Sequence, residues 1–330
     1  MTRMQQVCVL GAGSWGTALA LVLARSGHRE VRLVASSDAQ AAEINETGEN
    51  LRYLPGIALP GNIEITADVQ MAIKDIDICV YALPCVAVSD FLPLLADGAY
   101  PVVAACKGLH PETLQRTDEM LAEYIDRSRI ALLSGPSFAK EVAEGQPTAI
   151  TMAAENISMA EKAASYFDDT NFRIYLSDDI VGVAMGGALK NVIAIAAGMA
   201  DGLGLGHNSI AAVVTRGLAE ISRLAQACGG RPETLMGLSG LGDLVLTCTG
   251  SLSRNRQFGM AIAQGKDLTA AIEAIGQVVE GVRTAEAVHQ MAGQIQLELP
   301  LMQSIHLVLS GELAIAEGLK QLMSRPEKAE

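Results

Sequence analysis

The stretch VCVLGAGSWGTALALVLARSG, from Val7 to Gly27, constrains the fold more than any other part of the chain. A short apolar run leads into Gly11, Gly13 and Gly16, and the glycines open an Ala/Leu-rich helix. After a strand, glycines at this spacing have separate uses. The first permits a tight turn, the second lets a ligand approach the backbone, and the third lets helix and strand pack closely. The free N–H groups and partial positive charge of the helix start then suit a pyrophosphate. The only tryptophan in the chain, Trp15, sits in this loop beside Ser14. Both are expected to point outward, Ser14 toward phosphate and Trp15 offering a backbone N–H and a flat wall.

Beyond the loop the chain fits an alternating α/β pattern. The runs QVCVLG, EVRLVA, DICVYAL, PVVAAC, RIALLSG and TAITMA read as strands, with helical patterns between most of them. FRIYLS at 172–177 reads as the last strand. That alternation means a parallel-rich sheet with helices on both faces. Beyond residue 179 clear strands stop. The run IAAVVTRGLAEISRLAQAC keeps helical spacing and ends on Gly229 and Gly230, and further helical runs follow near 256–264, 267–275, 282–293, 301–310 and 312–323. The expected organisation is therefore a Rossmann-type α/β dinucleotide-binding domain over 1–180 and an all-α substrate and catalytic domain over 181–330. The charged tail RPEKAE is expected to fray.

Composition narrows the class of partner. The chain has 330 residues, is 50% hydrophobic and carries a formal net charge of -13. That balance argues against nucleic acid or an anionic membrane as the main partner, while leaving room for a small anion at a local basic cluster. Six scattered cysteines without a CxxC read as buried free thiols of a reducing cytoplasm. The histidines form no ligand pair, so no metal site is expected. The start of the chain enters a strand almost at once, without the pattern of a signal peptide. The apolar stretch near 183–200 is interrupted by Lys190 and Asn191 and reads as a buried helix.

The lysine in that stretch is the second chemical signal. VGVAMGGALKNVIAIAAGMA is apolar all round, so the helix should be buried. A buried lysine needs a partner, and burial draws its proton affinity toward neutrality, where it can donate and accept. Asp243, in a GLGD stretch expected to be a flexible loop, is the natural counter-charge, with Asn191 a further polar neighbour. SRNRQF reads as a helix start with Ser253 at the cap and Arg254 and Asn255 in the first turn. An arginine there opposes the helix dipole unless an anion binds. Lys107 follows a strand end in CKGL. Ser137, in SGPSFAKE, can cap a helix or hold a phosphate, and Pro84 ends another strand where the nicotinamide side would lie. Together these residues point to one cleft.

Taken together, GAGSWGTALA, NLRYLPG, CKGL, SGPSFAKEV, GGALKNVIAIAAG, GLSGLGDLVLTC, SRNRQFG and VVEGVRTA resemble the soluble bacterial type of NAD(P)-dependent glycerol-3-phosphate dehydrogenase. The resemblance spans nearly the whole chain. It implies reduction of dihydroxyacetone phosphate to sn-glycerol 3-phosphate, or the reverse, feeding glycerophospholipid synthesis. It implies Lys190 as the catalytic acid/base, with Asp243 and Lys107 in the catalytic set. It places Lys107, Gly135, Ser137, Lys190, Asp243, Ser253, Arg254 and Asn255 at the substrate. Gly11, Gly13, Ser14, Trp15, Gly16, Tyr53, Lys107, Ala139, Arg254, Val278 and Glu280 would meet the cofactor. A homodimer in the cytoplasm is expected. Relatives of this kind carry basic residues after the second strand, where this chain has Ser36 and Ser37, so either NADPH or NADH is expected. A β-hydroxyacid dehydrogenase and a cofactor-sensing regulator without chemistry are the rival readings. SRNRQF favours phosphate over carboxylate substrates, and a sensor needs no buried acid.

Overall fold

Strand β1 (Gln5–Leu10) is fully buried from Val7 onward and lies third from one edge of an eight-stranded sheet. The structure, a computed structural model, describes residues 3–324; the tail RPEKAE lies outside the described residues. The other strands are β2 (Arg29–Val34), β3 (Ile63–Thr66), β4 (Ile78–Tyr81), β5 (Val102–Ala104), β6 (Ile130–Ser134), β7 (Thr148–Ala153) and β8 (Phe172–Ser177). Their order is β3-β2-β1-β4-β5-β6-β7-β8. All neighbours pair in parallel except β6 and β7, which run antiparallel. The strand β3 was not among the expected runs: IEIT is short and places an exposed Glu64 between two buried isoleucines.

Side chains alternate between the two faces of the sheet, as the pleat requires. Val7, Val9, Val80, Val103 and Leu133 join one buried cluster, whereas Cys8, Leu10, Cys79, Tyr81 and Leu132 join the other. Burial on both faces explains why these strands read as unbroken apolar runs. The covering helices are α1 (Ser14–Ala24), α2 (Asp38–Thr47), α3 (Val69–Ala72), α4 (Val88–Leu95), α5 (Thr117–Ala122), α6 (Ala139–Ala143) and α7 (Ile157–Ser165).

By internal contacts the chain divides into two units. One runs through Lys107 and resumes at Arg116–Ala184; the other comprises Gly108–Gln115 and the chain from Met185 onward. Helix α8 (Ile180–Gly202) carries the division. It is long and apolar enough to cross a membrane, and 89% of its most apolar window is buried.

From Met185 onward the regular elements among the described residues are helical, α8 being followed by α9 (Gly206–Ala227), α10 (Pro232–Leu235), α11 (Asp243–Thr249), α12 (Arg254–Ala263), α13 (Leu268–Ile275), α14 (Glu280–Gln294), α15 (Pro300–Leu309) and α16 (Ile315–Met323). Helices α8 and α12 approach until their backbones touch. A Cβ on Gly198 would lie 2.0 Å from the Arg256 carbonyl oxygen, and one on Gly259 would lie 2.1 Å from that of Ile195. Glycines at this crossing let α12 press its first turns onto the middle of α8.

Candidate functional site

The first unit gathers its chemistry at the C-terminal edge of the parallel strands. Strand order reverses between β1 and β4, which is where open α/β sheets bind ligands. The glycine loop follows β1 at this point, and each glycine has its own geometry. Gly11 has φ +110°, which a side chain would strain. A Cβ on Gly16 would lie 1.8 Å from the Gly11 carbonyl oxygen, so only glycine lets α1 seat there. A Cβ on Gly13 would meet nothing within 4 Å, and Gly13 caps α1 with no side-chain hydrogen bond. The first and third glycines thus serve the protein, and the second keeps clear the approach to a helix N-terminus. That arrangement fits a dinucleotide pyrophosphate.

Ser14 and Trp15 are more tied to the protein than the sequence suggested. The Ser14 hydroxyl donates to the Tyr53 carbonyl at 2.7 Å, so its proton is held within the protein. Half-buried Trp15 donates its indole N–H to the Ala105 carbonyl at 3.0 Å, tying the loop to the end of β5. Two residues that sequence reasoning missed brace the loop from behind. Buried Asn50 donates to the Ala12 carbonyl at 2.9 Å and to the Thr17 hydroxyl at 2.8 Å. Gln40 donates to the same Ala12 carbonyl at 3.0 Å. Asn50 opens the NLRYLPG stretch, but nothing in its spacing names a partner.

Beyond β5, Lys107 reaches across to β6. Its Nζ donates to the Gly135 carbonyl at 2.9 Å, and the Ser137 hydroxyl donates to the same oxygen at 3.0 Å. Ser137 does not cap the following helix: the cap of α6 is Phe138, and Ala139 is its first residue. Lys107, Gly135 and Ser137 are therefore one cluster.

The second unit has its own centre on α8. Lys190 is 8% exposed and Asp243 1% exposed, and the ammonium donates to the Asp243 carboxylate. The GLGD stretch is not a loop. Leu238–Gly242 forms a wide helical turn that runs straight into α11, with Asp243 as its first residue. A Cβ on Gly240 would lie 2.1 Å from the Leu235 carbonyl oxygen, so the glycines allow tight coiling there, not a loose excursion. Thr247, one turn on, donates to the Asp243 carbonyl at 2.6 Å and lies 3.4 Å from its Oδ1. Beside the pair, burial pushes the Cys248 thiol up to about 12, with Lys190 pulling it down and Asp243 adding to the rise.

Asn191 spends its amide elsewhere than on Lys190, because adjacent residues on a helix face different directions. It donates to the Glu280 carboxylate at 3.2 Å and accepts from Asn255 Nδ2 at 3.0 Å. The Asn255 oxygen accepts the Gly281 N–H at 3.0 Å. This ladder joins the middle of α8 to the first turns of α12 and α14. Ser253 caps α12 by accepting the Arg256 N–H, and Arg254 is exposed in the first turn, its guanidinium on Gln277 at 3.0 Å. Val278 is exposed just before α14.

A glycine loop that fits a dinucleotide and a buried lysine paired with a carboxylate suit a dehydrogenase. Residues 6–160 match the family model described as NAD-dependent glycerol-3-phosphate dehydrogenase N-terminus, and residues 179–320 match its C-terminus. The chain belongs to the NAD-dependent glycerol-3-phosphate dehydrogenase family. It is 48% identical over 328 residues to glycerol-3-phosphate dehydrogenase [NAD(P)+] of Thioalkalivibrio sulfidiphilus, covering 98% of both chains. To the protein of that name from Xanthomonas campestris it is 46% identical, over 99% of this chain and 96% of the relative. The crystal structure of glycerol-3-phosphate dehydrogenase from Coxiella burnetii superposes with a TM-score of 0.91 at 38% identity, over 97% of this chain and 98% of the other. The chain is thus an NAD(P)-dependent oxidoreductase acting on CH–OH, and the family catalyses reduction of dihydroxyacetone phosphate to glycerol 3-phosphate.

Proposed function

We propose that this enzyme carries out the family's reaction with Lys190 as the proton donor and Arg254 as the phosphate anchor. The observation that carries this reading is the buried Lys190–Asp243 pair on α8 and α11. The nicotinamide supplies the hydride when bound. As the substrate carbonyl becomes an alkoxide, the Lys190 ammonium stabilises the charge and gives up its proton. Asp243 orients the ammonium and offsets its burial, and Thr247 fixes Asp243 in turn. Arg254, Asn255 and the Ser253-capped start of α12 suit the substrate phosphate, because helix N–H groups and a guanidinium converge well on that anion. Lys107, Gly135 and Ser137 serve the substrate from the first unit, with Lys107 also at the cofactor. Gly11, Gly13, Ser14, Trp15, Gly16, Tyr53, Ala139, Arg254, Val278 and Glu280 serve the cofactor.

The cellular setting is part of the same reading. Six free cysteines suit a reducing cytoplasm, and the net charge of -13 suits neither nucleic acid nor an anionic membrane as partner. A homodimer is part of the same proposal and is drawn from the family resemblance. Reduction supplies glycerol 3-phosphate for glycerophospholipid synthesis. The test is the nicotinamide absorbance band of NADH or NADPH on addition of dihydroxyacetone phosphate. Oxidation of either cofactor is expected. No oxidation with this ketone, but turnover of 3-oxo acids, would overturn the reading.

A further inference from the structure

The end of β2 is where an α/β dinucleotide site meets the adenosine ribose. Here Gln40, in the first turn of α2, reaches in two directions from that end. Its Oε1 accepts both the Ser36 backbone N–H, at 2.9 Å, and the Ser36 hydroxyl, at 2.8 Å. Its Nε2 donates to the Ala12 carbonyl in the glycine loop. The neighbours fix the orientation of this amide. A reversed amide would set an NH2 against the Ser36 N–H and an oxygen against the Ala12 oxygen. The Ser36 hydroxyl proton therefore points at Gln40, since an amide oxygen only accepts. What Ser36 turns outward is lone pairs.

The rest of the strand end agrees. Ser37 accepts the Gln40 N–H as the cap of α2, which leaves it one neutral donor. Asp38 follows, exposed, with a carboxylate. Arg32, on the same strand, turns its guanidinium to the Lys74 carbonyl at 2.6 Å and to those of Met71 and Ala72. A ribose 2′-OH can donate to Ser36. A 2′-phosphate has acceptors only and brings negative charge beside Asp38.

We propose that Gln40 makes this site select NADH over NADPH, by holding the Ser36 hydroxyl as an acceptor for the ribose 2′-OH. The proposal rests on the dehydrogenase reading for the presence of a dinucleotide, and its test needs no substrate. Dissociation constants for NADH and NADPH are measured by quenching of Trp15 and by calorimetry, for the unaltered enzyme, Gln40→Ala and Ser36→Ala. The unaltered enzyme should bind NADH about tenfold or more tighter than NADPH. Gln40→Ala frees the Ser36 proton, so this ratio should fall by roughly threefold or more, even if loss of the Ala12 contact weakens both cofactors. Ser36→Ala should weaken NADH alone, and it decides the matter if Gln40→Ala does not fold. Equal binding or an NADPH preference in the unaltered enzyme overturns the proposal, and so does a ratio unmoved by the variants. Failure to turn over dihydroxyacetone phosphate would refute the assigned reaction and leave these binding ratios standing.

Discussion

Lys190 and Asp243 stand 53 positions apart in the chain and meet as a buried ion pair that joins α8 to α11. Removing one partner of such a pair leaves a lone charge in a poor solvent, at a cost of about 3–5 kcal/mol. Asp243→Ala should lower the unfolding free energy by that order and lower kcat as well. The double variant Lys190→Met with Asp243→Ala should recover most of the stability and none of the activity. Urea melts and turnover assays separate the two effects. A double variant as unstable as the single one would show that Asp243 matters for something other than the lysine's charge.

The glycine loop offers a cleaner separation. Gly16→Ala places a methyl group 1.8 Å from the Gly11 carbonyl oxygen, so it should cost at least about 2 kcal/mol of stability. Gly13→Ala meets nothing within 4 Å at an ordinary φ of -81°, so its melting temperature should match that of the parent. Its affinity for NADH should nevertheless drop about tenfold or more, because the methyl group stands where the pyrophosphate approaches. Equal cofactor affinity in Gly13→Ala and its parent would remove the pyrophosphate from this loop.

Much of this was legible beforehand because burial writes itself into sequence. Strands covered on both faces appear as apolar runs, as β1 does, whereas FRIYLS at 172–177 coincides with β8, an edge strand that alternates half-buried and exposed residues over most of its length. Lys190 announced a counter-charge because no helix buries a lysine alone. Other features left no comparable trace. Four-residue β3 is too short for a periodic signal, and the reversal between β6 and β7 depends on the path of the chain, not on either strand's composition. The wide turn before Asp243 looked like a loop because its glycines serve close packing against Leu235. Gln40 and Asn50 are polar residues whose partners lie 28 and 38 positions away, and no local pattern encodes such distances.

Arg254 is exposed in the first turn of α12, against the helix dipole, and the proposed function gives it an anion to meet there. Arg254→Ala should lower kcat/KM for dihydroxyacetone phosphate by about 10²-fold, as expected for a lost charge-assisted bond, chiefly through KM. Steady-state kinetics at saturating NADH will read it. Unchanged KM and kcat/KM would place the phosphate elsewhere.

Glu220 caps a helix from outside it. Its carboxylate, 3% exposed, accepts the N–H groups of Leu301 at 2.8 Å and Met302 at 3.0 Å at the start of α15. Burial raises its pKa and outweighs those two bonds and the nearby Arg223 and Arg216, which lower it. The native state therefore holds this proton more tightly than the unfolded chain does. The protonated group's contribution is full below the unfolded value of about 4.3 and is lost as pH rises through the raised native value. Urea midpoints of the parent minus those of Glu220→Gln should fall across that window. A difference that grows with pH would contradict the sign.

The central claim is that Lys190 gives the proton. The direct measurement is kcat of Lys190→Ala with saturating NADH and dihydroxyacetone phosphate, on protein shown to be folded by circular dichroism. A loss of about 10²–10⁴-fold is expected. A variant that keeps most of the parent's kcat would contradict the assignment.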